Sequence, residues 1–255
     1  GDDGDSVRAV RLADNARVEI SFEDSRVTGG IRHGVALSAL EANFSRSGVM
    51  AADTGILAEQ SEVSLTHSTV EADLSVGLMA TNAQVEVTNS RIEGDTIGLS
   101  GGDSVFFVRG SEIDGGASAL RAIDSGLFSK GNQWSSEDGS PVVLSGAFPM
   151  CLFDTSTLVG LATNDTIPVL VLDSPDGESV PHPEIYHCTL RSFGGGVDIA
   201  LNGIATNDVR MAQSTLSSGL GPGIGLAAPS ATLPHGNVIF PTPASWAALL
   251  EDDDE

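Results

Sequence analysis

The chain has 255 residues, 40% of them apolar, which is ample for a buried core and excludes a disordered tail protein. Only 5% are aromatic while 30 are glycine, and much of the remainder is small or β-branched, a balance that favours β structure over a helical bundle. A net charge of −23, from 35 acidic and 12 basic residues, repels nucleic acid and anionic lipid and argues against both as partners.

Lys130 is the sole lysine. Acidity with so little lysine fits a salt-adapted or secreted protein, and a GC-rich genome would give the same Arg-over-Lys bias. No run of about 18 apolar residues occurs, so no membrane-spanning helix is expected. Residues 1–7 open on Gly-Asp-Asp-Gly-Asp rather than Met, which reads as an acidic, linker-like stub of a processed or trimmed piece.

From residue 8 onward one column organises the chain: Ser25, Ser47, Ser68, Ser90, Ser111, Asn132, Ser156, Cys188, Ser214 and Asn237. Its first five intervals are 22, 21, 22, 21 and 21 residues. Two positions after each column residue stands an apolar one, from Val27 and Val49 through Ile92, Ile113 and Trp134 to Ile239. Three and five positions before it stand further apolar columns, Phe22, Phe44, Leu65 and Val87 among the first and Ile20, Val63, Val85 and Phe106 among the second. Offsets that differ by two place both sets on one face of a strand.

A second strand precedes this one. Gly34, Gly55, Gly77 and Gly98 each lie 13 residues before their column serine and are each followed by an apolar residue. Polar turns such as residues 58–62, 81–84 and 101–104 separate the two strands. No repeat holds a helix-length amphipathic run, so a leucine-rich repeat is excluded, and the period is too short for a propeller blade. Strand-only repeats of this length stack as parallel sheets about 4.8 Å apart.

The stacked columns resemble the right-handed parallel β-helix superfamily, the pectate-lyase-like fold of secreted bacterial proteins. The resemblance implies an all-β solenoid of about ten coils, 21–26 residues each, over residues 8–240, closed by residues 241–255 as a C-terminal cap and acidic tail. In that tail Ser245 is the expected N-cap of a short helix carrying Trp246, Leu249 and Leu250. The column serines are expected to form a structural ladder between coils rather than a row of nucleophiles, since a buried hydroxyl left without a partner costs about 1–3 kcal/mol.

After Asn132 the intervals lengthen to 24, 32, 26 and 23, and loops inserted on a regular solenoid are where binding is usually carried. The largest insertion, Leu172 to Cys188, holds Asp173, Asp176, Glu178, His182, Glu184 and His187, the candidate binding residues for a metal or a saccharide, with a solvated acidic loop as the plainer reading. Their spacing fits no established ligand motif, so no metal site is assigned, and calcium is the ion their oxygen ligands would suit. Asp53, Asp73, Asp95 and Asp114 imitate a calcium ladder, but their register drifts and they read as turn residues. Cys151 and Cys188 fall in different inward columns, which favours two buried thiols over a disulfide that pins the loop.

Enzymes of the family implied by the resemblance use an arginine or lysine base with calcium-binding acids, or paired aspartates about a sugar bond. Arg91, Arg109 and Arg121 come from neighbouring coils at offsets that share no face row, and Asp-Asp pairs occur only in the tails. The expectation is therefore a non-catalytic secreted or cell-surface scaffold or adhesin-like module in contact with carbohydrate. The alternatives are a polysaccharide lyase or glycoside hydrolase, and a subunit of a filament stacked end to end.

Overall fold

The structure, a computed structural model, describes residues 4–10, 18–147, 150–162, 167–173, 183–193, 199–202, 210–218, 224–226 and 238–240. Every described regular element is a β-strand, and the strands form three parallel sheets of ten, nine and ten. Sheet A opens with Val7–Val10 and His33–Ser38, sheet B with Glu19–Glu23 and Glu41–Ser45, sheet C with Arg26–Thr28 and Gly48–Ala51. The chain visits B, C and A in turn and then returns to B one rung on, so each strand pairs with its counterpart in the next coil. This is the parallel β-helix that the columns imply. Every corner is described only from residue 18 to 147, which makes about six complete turns against the ten coils expected. The expected capping helix and Asn237 lie outside the described residues.

Register follows the columns residue for residue. Ile92 lies between Val70 and Ile113 in sheet C, and Val85 between Val63 and Phe106 in sheet B. Sheet A aligns Leu78 with Ile56 and Leu99. All of these are fully buried, so three inward files meet in one continuous core. The glycine before each sheet A file is a steric requirement, because a Cβ on Gly55 would stand 2.5 Å from both the Gly77 carbonyl oxygen and a Val70 methyl.

The corner between sheets B and C is two residues long. Its first residue has positive φ (Asp24, Arg46, His67, Asn89, Gly110, Gly131, Thr155, His187 and Gln213), and its second is the column residue. The expected ladder is there. Ser47, Ser68, Ser90 and Ser111 each accept at Oγ from the backbone N–H of the preceding column residue, at 3.0 to 3.2 Å. Each hydroxyl donates to the carbonyl two residues before it. Asn132 continues the file by accepting from Ser111 N–H, Ser156 by accepting from Asn132 N–H, and Ser214 by accepting from Cys188 N–H.

A second ladder that the period did not disclose runs along the corner between sheets A and B. Ser61, Ser104 and Ser125 accept from the N–H groups of Leu40, Ala83 and Ser104, and their neighbours Gln60, Asp103 and Asp124 have positive φ. Its signal was present in the sequence at 21- and 22-residue intervals, but Leu40 and Ala83 occupy two of its places and hide the hydroxyl.

One polar residue breaks an apolar file for a stated reason. Ser129 sits where neighbouring coils carry Val108 and Phe153, and its Oγ accepts from the indole N–H of the fully buried Trp134 at 2.9 Å. Asn132 and Ser156 complete that internal network at 2.9 and 3.0 Å. Cys151 and Cys188 are both buried free thiols, as expected. Burial pushes the Cys151 thiol up to about 12 and the Cys188 thiol to about 11.

Candidate functional site

The alternation of a strand sends every second side chain of sheet C outward. Over three adjacent rungs, Arg91–Gly94, Glu112–Gly115 and Gln133–Ser136, this produces two short files on the solvent face. One is Arg91, Glu112 and Gln133, the other Glu93, Asp114 and Ser135, each set paired in register. Gly94, Gly115 and Gly116 leave bare backbone at one edge, while Glu137, at the end of the third rung, and Leu161, one rung on, add side chains. The result is a groove of about 330 Å3.

Its polar groups are already tied to one another. Arg91 meets Glu93 at 3.0 Å and Asp114 at 3.6 Å, and Ser135 donates its hydroxyl to Asp114. Asp114 is the most enclosed of these charges, 21% exposed against 46% for Glu93. Among the groove's charged residues five are acidic, Glu93, Asp95, Glu112, Asp114 and Glu137, and only Arg91 is basic. Such a surface offers many acceptors in fixed positions and one forked donor.

The inserted segment is placed in part. Asp173 ends the sheet A strand Leu170–Asp173, whereas Glu184 begins the sheet B strand Glu184–Tyr186. His187 occupies the positive-φ corner after that strand and meets Asp154 at 3.2 Å. Asp173 thus stands on a different sheet from Glu184, with His187 at the corner that follows Glu184's strand, while Asp176, Glu178 and His182 lie outside the described residues. Among the described residues no three of His, Cys, Asp and Glu come together as a metal site.

Asp53, Asp73 and Asp95 stand at bends between sheets C and A, as turn residues should. Asp114 departs from that expectation: it is inside the strand Glu112–Gly115, aligned with Glu93, and belongs to the groove. Sequence reasoning missed the groove because it weighed the aspartates as one drifting column. The usable signal was the alternation outward from Ile92 and Ile113, which puts Glu93 and Asp114 on one face. Arg91, Arg109 and Arg121 lie on sheets C, B and A respectively, so the three arginines of neighbouring coils face three ways.

No family model and no curated protein matches the chain. Among solved structures it is similar to a pectin methylesterase from Yersinia enterocolitica, at 12% identity, over 92% of each chain, with a TM-score of 0.44. A likeness at that identity concerns overall architecture only.

Proposed function

We propose that this chain is a non-catalytic β-helix displayed outside the cell, and that its sheet C groove contacts a neutral, hydroxyl-rich glycan. The observation that supports the reading is the pair of outward files, Arg91, Glu112, Gln133 and Glu93, Asp114, Ser135, held in register by the rungs beneath them. Carboxylates and amides at fixed spacing accept from sugar hydroxyls, and the excess of acid in the groove disfavours an anionic ligand. Glu93 and Asp114 are both bridged to the one Arg91 guanidinium, which supports a fixed acceptor surface over a pair of carboxyls free to act on a bond.

The test is titration of neutral oligosaccharides by calorimetry, run beside an assay for new reducing ends and released acid. Binding that weakens about tenfold in Asp114→Asn, with no product formed, is the expected result. Turnover that Asp114→Asn abolishes would assign an enzyme instead.

A further inference from the structure

The first rungs of sheet A carry a hollow on their outer face. Val7, Val35 and Ile56 lie in register on the inward side, so the residues that follow them, Arg8, Ala36 and Leu57, form an outward file. That file continues as Met79, and a second outward file beside it holds Val10, Ser38 and Glu59. Ala36 is thus a single methyl between the long side chains of Arg8 and Leu57, and it lies in a pocket of about 430 Å3.

The wall of the pocket comes from the residues that lead into the first two strands. Arg32 N–H donates to the Gly4 carbonyl at 3.1 Å, and Ser6 N–H donates to the His33 carbonyl at 3.0 Å. Between these two bonds the Asp5 carboxylate, 5% exposed, meets His33 Nδ1 at 2.7 Å. A carboxylate so enclosed is costly unless it is hydrogen-bonded, and the imidazole supplies that bond. The Arg32 stem crosses the bare backbone of Gly4, where a Cβ would come within 3.2 Å of its Cγ. Three bonds and one close approach therefore fix the wall that carries Arg32.

We propose that this pocket binds a small organic monocarboxylate with an apolar tail. The forked guanidinium groups of Arg8 and Arg32 match a carboxylate, and Val10, Ala36 and Leu57 offer the tail an aliphatic surface. The two arginines of the lining stand against two carboxylates, Glu59 and the Asp5 already bound to His33. A ligand with one negative charge is accommodated by that balance better than a doubly charged phosphate. The sheet C groove, with five acids to one arginine, has the opposite character.

The test titrates the full chain by calorimetry with hexanoate, hexanamide, acetate and inorganic phosphate at about 0.15 M salt. Hexanoate is expected to saturate, with the other three binding at least about tenfold more weakly. Arg32→Gln should bring hexanoate down to the level of hexanamide. Ala36→Leu installs the residue that the next rung carries, leaves the Asp5–His33 pair in place and should block hexanoate. Hexanoate that fails to saturate, phosphate or hexanamide that binds as tightly, or an Ala36→Leu variant that binds like the wild type would each overturn the proposal. None of those results touches the sheet C groove, whose own titration stands apart from this one.

Discussion

Two regions of the same solenoid obey one geometry under different constraints. From residue 18 to about 136 the rungs repeat every 21 or 22 residues, with two-residue corners between sheets A and B and between B and C. Beyond that point the corner after Thr157–Gly160 runs to Leu170, and the corner after Leu170–Asp173 runs to Glu184. The corner between sheets B and C keeps its two residues throughout, at Thr155 and Ser156, at His187 and Cys188, and at Gln213 and Ser214. One corner of fixed length therefore carries register through the insertions, and the other two corners lengthen.

The sharpest way to test that contrast is a single methyl group. Gly55→Ala in the regular stack puts a Cβ 2.5 Å from a backbone oxygen, and an expected loss of about 3 kcal/mol follows from forced backbone shifts. Gly160→Ala in the looser region meets nothing closer than 3.7 Å and should change stability by less than about 0.5 kcal/mol. Urea unfolding of both variants checks the pair. Equal effects would mean that the two regions are packed alike.

Ladder substitutions come next in size. Ser68→Ala leaves the buried Ser47 N–H without its acceptor at 3.1 Å and should cost about 1–3 kcal/mol. Cys188 holds the same position with sulfur, a weak acceptor and donor, its Sγ 3.1 Å from the Tyr186 carbonyl oxygen. Cys188→Ala should accordingly cost less than Ser68→Ala, and Cys188→Ser should raise stability. Thermal melts that rank the two alanine variants in the opposite order would break the claim that both regions share one ladder.

Legibility in the sequence tracks the same contrast. The B–C corner was readable through the described residues because its length does not change there and its second residue is nearly always a small hydrogen-bonding one. The A–B ladder was hidden by Leu40 and Ala83, residues that fit the corner without displaying its chemistry. The binding face was harder still, because outward side chains are not constrained by packing and carry no period. Glu93 and Asp114 each stand three residues after their ladder serine, yet that offset carries Thr28, Met50 and Ser135 in other coils, so no single chemistry marks the file.

Corner strain gives a smaller effect. Thr155 holds φ at 54° in the looser region, where the regular region uses Asn89, Gly110 or Gly131. A β-branched residue is costly in left-handed backbone, so Thr155→Asn should stabilise by about 1 kcal/mol. Asn89→Thr should lose a comparable amount. If neither melt moves, the corner does not impose the backbone geometry on which the ladder depends.

The smallest effect concerns pH at the edge of that same looser corner. Burial alone would raise the Asp154 carboxyl, but hydrogen bonds from His187, Lys130 and Thr155 together hold it below the ordinary carboxylate range. A carboxyl depressed in the folded state adds stability above its unfolded value, and that stability disappears as pH falls through the folded value. Because Lys130 and His187 are both more than half exposed, solvent screens these contacts and their contribution is under about 1 kcal/mol. Asp154→Asn should therefore lower the melting temperature slightly at pH 6 and match the wild type near pH 2. A gap between the two that widens on acidification would show that Asp154 is anchored by something other than its cations.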